Sequence, residues 1–234
     1  MTQPSRARLV RIAIVLVFAG GIGAFFALGG HHYLTLETLK GHRDTLLAFT
    51  EAHYAQAFAI IFVVYTAAVA FSIPGAVLLS LAVGFLFGRW AGTVLALFAA
   101  TLGATIVFAA ARYVFAGAAK RRVGPLAQRI NAGFTRNAWS YMLFLRLVPA
   151  FPFFLVNLAP AFSSIPLSTF VGATFIGIIP GTFVFVNLGQ ALGHIDSLQG
   201  LVSWTTLGAL ALLGLLALVP IAIRRWRSRG VTFT

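Results

Sequence analysis

Apolar positions fill this chain in long unbroken runs. They show neither the alternation of a half-buried strand nor the three-to-four spacing of a surface helix. A helix rises about 1.5 Å per residue, so about 20 apolar residues cross a hydrocarbon core about 30 Å thick. Four runs have that length: Leu9–Leu28, Ala91–Tyr113, Pro166–Asn187 and Leu201–Ile223. Two further stretches are interrupted. Phe58–Phe71 and Val77–Phe87 flank Ile73-Pro74-Gly75, and Trp139–Val148 and Phe153–Phe162 flank Pro149-Ala150-Phe151-Pro152. Each leg is short for a crossing, and proline and glycine at the joins suit a turn. Both stretches are expected to be re-entrant hairpins, with tips at Pro74 and Gly75 and at Pro149, Phe151 and Pro152. Such backbone is tolerated at membrane depth where protein or a wet cavity covers it.

Composition agrees. Of 234 residues, 60% are hydrophobic and only 9% are charged, against about 25% charged in a soluble domain. Continuous runs favour helices over a barrel, whose strands alternate. There is no cysteine, which excludes disulfides and thiolate chemistry. The net charge of +13 sits beside the spans, as topology signals do, and is not read as a nucleic-acid footprint.

Charge also sets the orientation. Four crossings place Arg6, Arg8 and Arg11 on the same side as Arg224, Arg225, Arg227 and Arg229, together with the loop carrying Lys120, Arg121, Arg122, Arg129 and Arg136. The acids Glu37, Asp44, Glu51 and Asp196 fall opposite, with His31, His32, His42, His53 and His194. The positive-inside rule then makes both termini cytoplasmic. Residues 1–28 are long for a signal peptide and are expected to stay as a span. Val123, Leu126, Ala127, Ile130 and Phe134 recur at helical spacing against an arginine face, which predicts a cationic helix over 117–136 lying on anionic lipid. A weaker stripe, Leu36, Leu39, Leu46, Leu47 and Thr50, lies on the other side.

A shift of 75 residues places Pro74 on Pro149 and Phe87 on Phe162. Each half then reads as a hairpin followed by a span, over 55–113 and 137–190, and the topology inverts one half relative to the other. The expected fold is an all-α integral membrane protein of four spanning helices plus two inverted re-entrant helical hairpins. Residues 1–54 form an N-terminal span and outer segment, 55–195 the core, and 196–234 a last span with a basic tail. Inverted repeats with broken helices near the midplane are a transporter design.

The most informative stretch is Arg146-Leu-Val-Pro149-Ala-Phe-Pro152-Phe-Phe-Leu-Val-Asn157. A charge in an apolar leg costs at least about 2.5–3.5 kcal/mol at mid-bilayer. Arginine presents a planar fork of donors suited to phosphate. Arg146 is therefore the candidate lipid-phosphate ligand, with Asn157 assisting. The competing reading is that Arg146 caps carbonyls at the Pro149 break or snorkels. Arg89 and Arg112 end their segments at the two surfaces, as headgroup ligands or as snorkelling anchors. Gly84, Gly88 and Gly92, then Gly177 and Gly181 around Pro180, and Gly189, are read as close helix-packing positions. The histidines show no H-E-x-x-H and no tight ligand spacing, so neither metal nor cofactor is expected. No nucleophile and base are evident, so the chain is not expected to be an enzyme.

Phe85-x-Phe87-Gly88-x-x-x-Gly92, Arg146-Leu-x-Pro149-x-x-Pro152-Phe153-x-x-x-Asn157, Gly177-x-x-Pro180-Gly181 and Gly189 together resemble the VTT-domain proteins, also called SNARE-associated Golgi proteins, of the DedA superfamily. The resemblance covers about residues 55–195 and implies two facing re-entrant hairpins. It also implies movement of phospholipid or polyprenyl phosphate across the bilayer. DedA proteins proper carry carboxylates near the first hairpin and a second arginine three residues past the proline. Here Ala76 follows Pro74-Gly75, and Pro152 stands at that second arginine's place.

The expected function is a lipid translocase or scramblase in a plasma membrane of the bacterial inner-membrane type. Its partners would be membrane lipids, anionic or phosphate-bearing, with no nucleic acid; self-association is left open. An ion or small-solute transporter on the same repeat would show flux without lipid movement. A non-transporting scaffold would depend on residues 121–136 and not on Arg146.

Overall fold

A computed structural model describes residues 6–29, 38, 41–73, 75–115, 137–147 and 153–193. The tips Pro74, Pro149, Phe151 and Pro152, the basic segment 117–136 and the last apolar run lie outside the described residues. Those described are helical: α1 Arg6–Ala27, α2 Arg43–Ala52, α3 Tyr54–Ala70, α4 Ala76–Phe115, α5 over 137–147, α6 Phe153–Leu158 and α7 Leu167–Gly193. Three are long and apolar enough to cross a membrane, within Arg8–Ala27, Val77–Val114 and Leu167–Ala191. This is an all-α, multi-pass membrane protein.

The first hairpin forms as the interrupted pattern predicts. Its leg α3 starts at Tyr54, earlier than the apolar run at Phe58, where the chain turns by 117° out of α2. The α2 stripe faces inward at Leu46, Leu47 and Thr50, and Asp44 and Glu51 face out. Across the hairpin, the Tyr65 hydroxyl and Ser80 Oγ are 2.8 Å apart, and Phe58 meets Phe87 edge-on at 5.4 Å. Antiparallel legs with a turn near residues 72 and 73 give those pairings. In the turn, Ser72 has φ 54° and Gly75 has φ 123°.

The return leg and the next span are nominally one helix, α4, but Gly88 breaks it with φ 71° and ψ 179°. That conformation is essentially reserved for glycine. Gly88 thus divides α4 into a leg over 76–87 and a spanning arm over 89–115. The packing reading of Gly88 needs correcting, because a Cβ there would come no nearer than 3.9 Å to a neighbour. The constraint is its backbone conformation.

The second hairpin keeps its predicted legs. The return leg is α6 followed by a 3-10 turn, Ala159–Phe162. Pro160 lies in the first positions of that turn, where its missing N–H is no loss but ends the α-helical pattern before it. Ser163 closes the leg in an extended conformation. Shifted by 75, the first break at Gly88 coincides with this second break.

Helices α4 and α7 make the main contact and α3 with α4 the second. The arm and α7 run antiparallel, with Trp90 near Phe183 at 5.7 Å and Phe98 near Phe175 at 5.2 Å. In each half the span takes in its hairpin's first leg at a glycine. A Cβ at Gly103 would lie 2.6 Å from the Thr66 carbonyl and 2.7 Å from the Val69 Cβ; at Gly177 it would lie 2.6 Å from the Arg146 Cβ and 3.4 Å from Leu143 Cδ2. Val69 precedes Gly103 by the same 34 positions as Leu143 precedes Gly177. Both spans thus pack closely on the leg before them at a glycine. Gly181 has open space around it, so close packing holds at Gly177 and not there. Pro180 lies inside α7. Helix α1 carries no buried residue among those described and touches the core through Phe18 and Gly21 on Phe71 and through Arg11 over Tyr113.

Candidate functional site

Arg146 is near the deep end of α5, and three elements supply its surroundings. Gly177 lets the α5 backbone come close to α7, so the long side chain lies against that helix. Nη1 donates to Oδ1 of Asn157 on α6 at 2.8 Å, and Nη2 donates to Oγ1 of Thr174 on α7 at 2.9 Å. Arginine has donors only, so the amide oxygen of Asn157 must face it and the amide nitrogen must face away. Asn157 is 0% exposed and Thr174 1%. Arg146 Nε and Asn157 Nδ2 are buried and have no hydrogen-bond partner among the described residues.

The depth of this cluster follows from helix register. With Trp90 beside Phe183 and Phe98 beside Phe175, Gly177 is level with residue 96 of the arm. The middle of the stretch from Arg89 to Tyr113 is residue 101, so Arg146 sits about 8 Å from the centre of the span at 1.5 Å per residue. The side chain does not snorkel: its guanidinium is turned to two side chains inside the protein. Hydrogen bonds to a charged group contribute about 1.5–3 kcal/mol each, enough to offset insertion of the charge but not to neutralise it. The described acids Asp44 and Glu51 lie exposed on α2. The cluster is a cation held by neutral acceptors, with two buried donor atoms unspent.

Below the guanidinium lies Phe170, its ring centroid 5.4 Å from Arg146 Cζ. Phe170 stacks on Phe108 at 4.1 Å and 18°, and Arg112 Cζ caps the far side of Phe108 at 4.4 Å. Both rings are fully buried. Arg112 also donates from Nη2 to the Ser163 carbonyl at 2.9 Å. Arg89 is at the opposite end of the arm, where its backbone N–H donates to Gln190 Oε1 at 2.8 Å.

The structure thus brings Arg146 and Asn157 together and leaves Arg112 and Arg89 at the two ends of the arm. Sequence reasoning did not single out Thr174, Phe170, Phe108, Ser163 or Gln190. A hydroxyl one turn before Gly177, on the same face of an apolar span, was the available signal for Thr174. The others depend on which helices pack together.

A half-buried cation between a hairpin leg and a span, in an all-helical multi-pass protein, defines a membrane protein of the broken-helix class. The VTT domain model matches residues 73–191, from the first hairpin tip to the end of α7. The chain belongs to the VTT-domain family. It is 32% identical over 185 residues to a transmembrane protein 41 homolog of Dictyostelium discoideum, covering 78% of this chain and 55% of that one. An uncharacterized membrane protein of Arabidopsis thaliana is 33% identical over 173 residues, covering 67% of this chain and 56% of that one. Transmembrane protein 41B of Danio rerio is 25% identical over 193 residues, covering 81% and 68%. The chain spans about half the length of the first two relatives. No solved structure matches it.

Proposed function

We propose that this protein is a lipid translocase or scramblase whose facing hairpins pass a phosphate-bearing or anionic lipid headgroup between leaflets. One observation carries the reading. Arg146 is charged and deep, and among the described residues it is hydrogen-bonded only to neutral acceptors, while its Nε and the Asn157 Nδ2 are buried without partners there. A phosphate oxygen would accept from both and cancel the charge, and charge-assisted bonds of this kind are about twice as strong as neutral ones. Thr174 fixes the guanidinium plane, and Phe170 supports it from beneath. The acyl chains would remain in lipid beside the groove. The cluster offers a cation, an amide and a hydroxyl, a set that binds an anion and does not cleave it. On this reading the termini are cytoplasmic, which the basic flanks support by the positive-inside rule, and the membrane is a plasma membrane.

The test is lipid movement in vesicles holding the purified protein, using fluorescent phospholipids and a polyprenyl phosphate in parallel. Wild type should move at least one of them. Arg146→Ala should lose that movement, and Arg146→Lys should be impaired because a point charge lacks the fork. Movement at the wild-type rate in Arg146→Ala would overturn the role of Arg146. Solute flux without lipid movement would indicate a transporter of another class.

A further inference from the structure

The donors left over at Arg146 and Asn157 are buried, so a headgroup reaches them only if packing around the hairpins opens. Two hydrogen bonds join the halves where such opening would start. At one end of the arm, Gln190 from the end of α7 accepts from the Arg89 N–H, directly after the break at Gly88. At the other end, Arg112 from the end of the arm donates to the Ser163 carbonyl, directly at the second break. Gly88 and Ser163 are mates under the 75-residue shift, and Asn187, the mate of Arg112, precedes Gln190 by one turn of α7. Each hairpin's return leg is thus fastened at its break by the span of the other half. The two fastenings are about 35 Å apart along the arm, from 23 residues at 1.5 Å each, and Arg146 lies between them.

Neither fastening is a helix-internal bond that folding would supply in any case. Gly88 interrupts the ladder of α4, so the Arg89 N–H is one of the orphan donors at the start of a helix. Gln190 satisfies it from a different helix. Ser163 stands where the 3-10 turn has ended and α7 has not begun, so its carbonyl also lacks a helical partner. Both bonds can be lost without unwinding a helix, which is what a gate requires.

We propose that Gln190 and Arg112 are the two gate latches of this protein, one for each membrane face. Release of one admits a headgroup from that face while the other stays closed. This rests on Arg146 being the headgroup site, but the latches can be read without any lipid.

The chain lacks cysteine, so Thr174→Cys gives a single thiol at the buried cluster for a charged, water-soluble thiol reagent. In sealed vesicles of defined orientation, labelling should be slow in that background. Adding Gln190→Ala should speed it about tenfold from the face nearer Arg89, the effect of losing one hydrogen bond of ordinary strength. Adding Arg112→Ala should do so from the opposite face, and Arg112→Lys, which keeps a donor, should restore slow labelling. Bridging Arg89→Cys to Gln190→Cys, or Arg112→Cys to Ser163→Cys, with a short bifunctional thiol reagent should stop lipid movement from that face until the bridge is reduced. Unchanged labelling in both alanine variants, or acceleration without sidedness, would overturn the latches. Sided labelling with no lipid movement would keep the latches and discard lipid as the cargo.

Discussion

Gly84 and Gly189 occupy reciprocal positions: a Cβ on Gly84 would run into the Val186 carbonyl, and a Cβ on Gly189 would run into the Leu81 carbonyl. The return leg of the first hairpin and the end of α7 therefore touch backbone to backbone. A carbonyl cannot swing aside as a side chain can. Gly84→Ala and Gly189→Ala should each destabilise the protein by about 1–3 kcal/mol, the usual cost of overpacking. Gly181→Ala, facing open space, should be neutral. Thermal unfolding in detergent separates these outcomes, and an unaffected melting point in Gly84→Ala would contradict the close approach.

At the cluster, Asn157→Asp should move stability and activity in opposite directions. A carboxylate beside Arg146 supplies the missing countercharge and should raise the melting temperature. It should also compete with phosphate and slow lipid movement at least tenfold. Asn157→Leu instead strands a guanidinium nitrogen and should cost about 1–3 kcal/mol. If Asn157→Asp kept full activity, an anion would not be what Arg146 binds.

Thr174→Val preserves shape and deletes one acceptor from Arg146 Nη2. The expected loss is about 1–3 kcal/mol, with lipid movement falling, while Thr174→Ser should retain both. Parallel losses in Val and Ser variants would assign Thr174 to packing alone.

Gly88→Ala forces a side chain into a conformation that costs about 1–3 kcal/mol. The strain should appear as a lowered melting temperature, with the halves of α4 pulled towards one continuous helix. Tyr65→Phe breaks the bond across the first hairpin and should cost about 1 kcal/mol. A calorimetric comparison of both variants with wild type checks the two numbers together.

Much of this was legible in the chain because membrane insertion writes its rules into composition and run length. Both hairpins, their legs and the deep Arg146 follow from where apolar runs stop. Helix ends were less legible. Tyr54 to Gln56 start α3 although they break the apolar run, because the end of a helix at the membrane surface tolerates polar residues. The α7 helix continues past Asn187 for the same reason. The partners of Arg146 were half legible. Asn157 lies in the same hairpin and eleven positions away, whereas Thr174 and Phe170 enter through α7, whose facing side no local pattern gives. Gln190 and Ser163 matter only through the antiparallel register of α4 and α7, a property of the packed molecule and of no single segment.

The depth of Arg146 has an electrical consequence. With Arg146 about 8 Å from the centre of a core about 30 Å thick, an anion crosses about a quarter of the transmembrane field from the nearer leaflet and about three quarters from the farther one; one full charge across 100 mV is worth about 2.3 kcal/mol. A negative interior would push anionic headgroups from the inner leaflet towards the site and oppose their arrival from the outer one, by about 0.6 kcal/mol on the shorter path and about 1.7 kcal/mol on the longer. Unequal leaflet populations would then arise from the voltage alone, with no nucleotide consumed. Imposing a potassium diffusion potential on the vesicles should skew the steady-state distribution of an anionic lipid and leave a zwitterionic one level. A distribution indifferent to voltage would place the headgroup's path outside the field.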